Sequence, residues 1–329
     1  MGIPEPPLLA RVFRGPRVES VHFGYVAVVT ASGELIFAAG DPHTGVYLRS
    51  AAKPFQAMPL IEEEVHAVYD LSDRELALIC ASHNGEAHHV EAAASILKKC
   101  GLSEDHLRCG IHRPIGVDLG VVAEQPAYSV LQNNCSGKHA GMLAACRFHR
   151  WPLDTYLDPG HPHQQRILDT VAAMSSLSRE KIGVDIDGCS APVFYMPLHN
   201  LARMYARLAG ENPVCSKIYD IMWRHAHMVA GQHRFDTAVM EALKGKLVAK
   251  TGAEGVQCFA IRGSEPLGVA IKIADGNSRA VPPVAIKLLT RLGLLGEKEL
   301  RALQAYVLPE RRNHRHILIG RIDSPLDIQ

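Results

Sequence analysis

Strand-like alternation of apolar and polar residues marks the two ends of the chain, and a helical period runs between them. Val18 to Val29 is rich in β-branched and aromatic residues, as strands are. Ala31-Ser32-Gly33-Glu34 reads as a turn and Leu35-Ile36-Phe37-Ala38 as the returning strand. Arg49 to Leu60 reads as a short helix starting at Ser50. Pro54 is tolerated in its first turns and Pro59 near its end. Helical periodicity recurs over 73–80, 86–100, Lys138 to Cys146, 164–177, 199–209, 215–229 and 233–244. The pattern then changes back. Leu247 to Lys250, Val256 to Ile261 and Leu267 to Ile273 read as strands with Gly-rich breaks, the first ending in the turn 251–255. Helices are expected over 283–294 and 297–306, and His316 to Gly320 reads as a last strand or an edge segment.

Strands, then helices, then strands imply an α/β protein of the α+β kind. Its antiparallel sheet draws strands from both ends, and the helical middle is inserted as a second lobe. The expected organisation is one two-lobed domain, 1–329, with a sheet lobe over about 1–60 and 245–329 and a helical lobe over about 61–244. The βαβ alternation and the G-x-G-x-x-G of a dinucleotide fold are absent.

Composition narrows the partners. The chain has 329 residues, 47% hydrophobic and 21% charged, enough for a large core. Its 35 basic and 34 acidic side chains leave a net charge of +1, which argues against nucleic acid or an anionic membrane as the main partner. The segment Met1 to Pro7 lacks the basic and apolar stretches of a signal peptide, and the myristoylation-like start at Gly2 fails at Pro6. Eight scattered cysteines without a signal favour a reducing cytoplasm, with most thiols packed as small hydrophobes.

Several short patterns carry chemistry. Ser50-Ala51-Ala52-Lys53 places a hydroxyl and an amine three apart on one helix face. A serine hydroxyl needs a base to act as a nucleophile, and lysine serves only when its pKa falls. Read alone, the pattern more often marks a capping serine with a solvated lysine. Lys250-Thr251-Gly252 follows a predicted strand. S-x-x-K with a strand-borne K-T-G far downstream is the arrangement of serine acyl-transfer enzymes of the β-lactamase type. In Ser82-His83-Asn84-Gly85-Glu86, Ser82 fits a proton relay or the cap of the next helix equally well.

Asn133 to Met142 is dense in polar groups. Ser136-Gly137-Lys138 resembles the tail of a phosphate loop, but Gln132 stands where the upstream glycine belongs, which disfavours nucleotide binding. Asp187-Gly188-Cys189-Ser190-Ala191-Pro192 reads as a turn. From spacing alone, Cys135 and Cys189 are two packed thiols. Eighteen histidines include the clusters His83, His88, His89 and His225, His227, His233, which are assigned no metal.

Together, Arg49 to Gln56, Ser82 to Glu86, Asn134 to Met142, Asp187 to Pro192 and Lys250 to Gly255 resemble the asparaginase II family typified by the rhizobial inducible enzyme. The resemblance spans about 17–295; the first 16 residues and the tail carry no match. It implies a serine β-lactamase/glutaminase-like fold and a Ser–Lys amidohydrolase that converts L-asparagine to L-aspartate and ammonia through an acyl-enzyme. Ser50 is then the nucleophile and Lys53 its base, with Ser82 and Lys250 assisting proton transfer. Arg49, His83, Glu86, Asn134, Gly252 and Glu254 are candidates for substrate binding. The resemblance further implies zinc on Cys135, Lys138 and Cys189, supported from behind by His139 and Asp187, and a homodimer. Rival readings are a glutaminase or broader amidase on the same scaffold, a penicillin-interacting acyl transferase, and a non-catalytic zinc-stabilised binding protein.

Overall fold

The structure, a computed structural model, describes residues 5–326; the residues read at the extreme N-terminus for targeting lie partly outside them. The described residues form eleven strands: β1 Leu8–Arg14, β2 Arg17–Thr30, β3 Leu35–Ala39, β4 Gly45–Tyr47, β5 Gly183–Ile186, β6 Pro192–Pro197, β7 Leu247–Gly252, β8 Val256–Ile261, β9 Leu267–Ile273, β10 Glu310–Arg312 and β11 Leu318–Asp323. Eight form one sheet in the order β10-β11-β1-β2-β9-β8-β7, with β3 also on β2. Every pairing is antiparallel, so the α/β fold with a sheet built from both ends of the chain stands as expected.

The long strand β2 joins the two ends. Its second half, Tyr25 to Val29, is fully buried and pairs with β9 in the register Val26↔Ile271. Such a strand, covered on both faces, reads as a continuous apolar run. Gly268 on β9 makes the cover on one face close-fitting: a Cβ there would lie 1.8 Å from the Ala202 carbonyl oxygen. Helix Leu198–Leu208 therefore lies directly against the sheet, although its position in the sequence falls within the helical middle.

Three departures from the expected elements have physical causes. The segment before residue 15, which carried no recognisable pattern, is β1, and the tail supplies its partner β11 in the register Arg11↔Asp323. The Arg11 guanidinium donates to both carboxylate oxygens of Asp323, at 3.1 and 2.9 Å. β11 is mostly half-buried, with only Ile322 fully inside, so its apolar alternation is weak in sequence. A second sheet, β4-β6-β5, was also not foreseen: of its strands only β5 matches a segment that reads as strand-like, Ile182 to Ile186, and prolines stand at both ends of β6. The helix expected over 215–229 is two, Pro213–Arg224 and Ala226–Val229, divided at His225, whose backbone leaves the helical region.

In the middle of the chain, helix Ser136–His149 is buried over its first eleven residues. Gly137 and Gly141 allow this. A Cβ at either would press on Leu78 or Ile79 of the neighbouring helix Asp73–Ile79, at 2.4 and 2.8 Å. This close approach carries Lys138 and His139 into the interior. No helix among the described residues is long and apolar enough to cross a membrane.

Candidate active site

Ser50 sits on the single 3-10 turn Arg49–Ala52, which runs directly into helix Lys53–Glu62. Arg49 adopts a left-handed backbone (φ +49°), uncommon for a residue with a side chain. Its guanidinium Nε donates to Asp187 Oδ1 at 2.8 Å, which fixes the turn that presents the serine. Ser50 opens into a cavity of about 520 Å³ lined also by Ser82, Asn134, Arg234, Thr251 and Glu254. Five distant stretches of chain thus meet around one space.

Two lysines stand beneath it. Lys53 is buried, and its Nζ donates to Ala81 O (2.5 Å), Ser82 Oγ (3.0 Å) and Asn134 O (3.2 Å). Lys250, at 0% exposure on the sheet's edge strand β7, donates to Ser82 Oγ (2.9 Å) and Thr251 O (2.7 Å). The expected partition was Ser50 with Lys53 and Ser82 with Lys250. The structure instead brings both amines to Ser82, and Ser50 Oγ is not among the hydrogen-bond partners of Lys53. Burial pushes the Lys53 amine below its ordinary value. Burial, reinforced by the neighbouring Lys53 charge, brings Lys250 down to about 7. Two ammonium groups bonded to one hydroxyl repel each other, so the pair favours a state with one proton fewer.

Of the six candidate substrate-binding residues, Asn134, Gly252 and Glu254 line the cavity. Arg49 does not; it pairs with Asp187 beside a separate surface depression. His83 and Glu86 do not line the cavity either, and their polar atoms bond within the fold. The Gly85 N–H donates to His83 Nδ1 (3.1 Å), so the proton is on Nε2, which donates to Ser136 Oγ at 3.0 Å. Glu86 Oε1 accepts from Asn84 Nδ2 and from the Gln232 N–H, both at 2.9 Å. Glu86, His88 and His89 place their ligand atoms within 4.8 Å of one another. Both ring nitrogens of His89 are already bonded, Nδ1 to the Glu86 N–H and Nε2 to His227 O, which leaves no lone pair free for a metal.

Sequence reasoning missed Arg234 and Asp236. Asp236 Oδ2 accepts from the Thr251 N–H (2.7 Å) and Oδ1 from Gln257 Nε2 (2.9 Å), which holds the end of β7 in place. The one signal was two charges in His233-Arg234-Phe235-Asp236, just ahead of an apolar helix.

Behind Lys53 lies a second buried cluster. Lys138 Nζ donates to Cys189 Sγ at 3.0 Å, and Cys135 Sγ lies 3.0 Å from Asn134 Oδ1. Hydrogen bonding from Cys135 holds the Cys189 thiol far below its usual range, and Lys138 supports that shift. The complement is a raised Cys135 pKa, set first by the bond to Cys189 and then by burial. His139 Nδ1 meets Tyr156 OH at 2.7 Å, while its buried Nε2 finds no hydrogen-bond partner. Two sulfurs and an amine in a dry interior fit a borderline-soft cation such as zinc. Asp187, expected to support the metal ligands, bonds instead to Arg49 and to the Gly188 N–H (2.8 Å).

Solved structures with a similar chain trace include Mglu in its glutamate form, at 16% identity and a TM-score of 0.46, covering 82% of this chain and 61% of that one. A Bacillus glutaminase is 12% identical with a TM-score of 0.38, covering 82% of this chain and 91% of the other. A β-lactamase from Mycobacterium bovis is 13% identical with a TM-score of 0.42, covering 83% and 95%. The chain therefore spans about three fifths of the length of Mglu. Among curated proteins, none matches this chain. The family model for L-asparaginase II matches residues 10–324, reaching at both ends past the 17–295 read from motifs. Its span includes β11 and all but the first two residues of β1, as well as every element that builds the cavity, so this protein belongs to the L-asparaginase II family, a family of amidohydrolases.

Proposed function

We propose that the protein hydrolyses the side-chain amide of L-asparagine with Ser50 as nucleophile. One observation carries the reading: two serine hydroxyls share a cavity, and two buried lysine amines converge on one of them. A lysine driven toward neutrality by burial is a competent general base near neutral pH.

Ser50 attacks the amide carbon as its proton passes to the Lys53–Ser82–Lys250 relay. The proton returns to the leaving nitrogen, ammonia departs, and an ester links Ser50 to the aspartyl group. Water, deprotonated by the same relay, then cleaves that ester and restores the hydroxyl. The first internal bond of the turn is Ala51 N–H to Leu48 O (3.1 Å), so the Ser50 N–H ahead of it is available to the oxyanion. Gly252, whose Cβ would lie 3.0 Å from both Leu48 O and Val256 Cβ, lets the end of the edge strand pack closely against the segment before the serine turn. The Glu254 carboxylate gives the cavity a counter-charge for the α-ammonium group. Cys135, Lys138 and Cys189 would hold a zinc ion, which supplies a Lewis-acidic anchor for polar groups of the substrate.

The test is ammonia release from L-asparagine and L-glutamine, with and without chelator, in wild type and Ser50→Ala. Asparagine turnover lost in a folded Ser50→Ala variant is the expected result. Undiminished turnover removes Ser50 from the role, and a preference for glutamine moves the reading to the glutaminase.

A further inference from the structure

We infer that Arg234 is the carboxylate receptor of this cavity and selects amides that carry an α-carboxylate. The inference rests on the amino-acid-amide reading above.

Arg234 reaches the cavity wall with part of its hydrogen-bonding capacity committed. Its Nη1 donates to Ser82 O and to Asn84 Oδ1, both at 3.1 Å. Among the described residues, no protein acceptor takes Nε or Nη2, and no carboxylate lies within ion-pair distance. Asp236, two residues on, has its oxygens occupied by the Thr251 N–H and Gln257 Nε2. A guanidinium held in a cavity without an acidic partner is a costly arrangement that a bound anion relieves. The planar fork of arginine also suits a carboxylate better than the point charge of lysine.

The arm that carries it is built in advance. The Ser82 and Asn84 N–H groups donate to Val229 O and Ala230 O, each at 2.9 Å. Asn84 Nδ2 donates to Gln232 O at 2.9 Å, and the Gln232 N–H to Glu86 Oε1. Gly231 takes φ +119°, and a Cβ there would fall 2.4 Å from both Asn84 Nδ2 and Glu86 Oε1. The stretch Ser82 to Glu86 therefore clamps the loop 229–234. An arm fixed in this way avoids the ordering cost of binding. Because the guanidinium is bonded to the carbonyl of Ser82 itself, the carboxylate it takes is held beside the serine relay.

The experiment is calorimetric, in a Ser50→Ala background that permits binding without turnover. L-aspartate is compared with L-isoasparagine, in which the α-carboxylate is an amide and the β-carboxylate is kept. L-aspartate should bind tighter by on the order of 30-fold or more, the scale for losing one partner of a desolvated charge pair. Arg234→Gln should erase that preference and leave L-isoasparagine within about threefold. Equal weakening of both ligands assigns Arg234 a merely structural role through Ser82 and overturns the inference, as does an unchanged preference. If Arg234→Gln does not fold, equal binding of the two ligands by the parent protein overturns it in the same way. Ammonia release from neither asparagine nor glutamine, with the aspartate preference intact, defeats the amide reading but leaves the receptor standing.

Discussion

Lys250 and Lys138 are both buried, at 0% and 3% exposure, yet their pKa values move in opposite directions. Burial acts on both by disfavouring the charged amine. At Lys250 the strongest charged neighbour is another cation, Lys53, so the two effects add and the pKa falls to about 7. At Lys138 burial is opposed by Cys189 and Cys135, and the amine ends above its ordinary value. Desolvation sets the cost of a charge, and the neighbours decide whether the charge persists. One region holds an amine ready to take up a proton; the other holds an ion pair that a cation can replace.

The largest expected effect comes from breaking the first region. Lys53→Met should lower kcat for asparagine by on the order of 10³-fold or more while zinc content stays at the wild-type level. Steady-state ammonia release and elemental analysis of the same preparation check both halves. Loss of zinc together with activity would show that the two regions are one.

Lys250→Arg is next. It keeps the cation but removes the possibility of a neutral amine, since arginine stays charged. A fall of about 10²-fold in kcat/KM is expected. In wild type, kcat/KM should rise with pH through about 7 as Lys250 loses its proton, and Lys250→Arg should lack that limb. Stability follows the same sign. The folded pKa lies below the unfolded value of 10.5, so the unfolded chain binds more protons between about 7 and 10.5. The contribution of Lys250 is present in full above 10.5 and is lost as pH falls through about 7. Melting temperatures across that range, for wild type and Lys250→Met, measure it.

The parts of the site legible in the sequence were those whose partners are close in the chain or tied to a strand. Ser50 with Lys53 follows from helical spacing, and Lys250-Thr251-Gly252 from the predicted strand β7. Which amine meets which hydroxyl was not legible, since Lys53 Nζ turns to Ser82, 29 residues on, once helix Lys53–Glu62 is packed. Cys135 and Cys189 looked like packed thiols because no local spacing links them; only the resemblance joined them, and the fold brings both to Lys138. That His83 and Glu86 brace a loop was not legible either, because a polar residue in a motif looks the same whether it faces substrate or braces a loop. Arg234 carried no motif at all. In the fold, β1 and β11 pair across almost the whole length of the chain, and neither alternates cleanly between apolar and polar residues.

Breaking the second region should cost less. Cys189→Ser removes a soft ligand and the thiolate that holds Lys138. Zinc affinity should drop by on the order of 100-fold, KM should rise, and kcat should stay within about tenfold of wild type. Metal competition titrations and initial-rate kinetics separate these. Absence of zinc from the wild-type protein would defeat the metal assignment and leave the Lys53–Ser82–Lys250 relay untouched.

The smallest expected change concerns the support for that cluster. Tyr156 OH accepts from the Arg108 N–H at 2.9 Å and lies 2.7 Å from His139 Nδ1. Its own proton therefore goes to Nδ1, which leaves the His139 proton on the orphaned Nε2. Burial holds this imidazole near pKa 4, so it stays neutral at physiological pH. Tyr156→Phe frees Nδ1 and lets the ring exchange tautomers. Zinc affinity should fall by about tenfold, the lower end for losing a group that orients its surroundings, with kcat unchanged. The histidine ring-nitrogen signals in an NMR spectrum should shift from one tautomer to a mixture. A Tyr156→Phe variant with wild-type affinity and an unaltered His139 tautomer would show that the cluster holds its metal without help from behind, and that the contrast between the regions rests on the sulfurs alone.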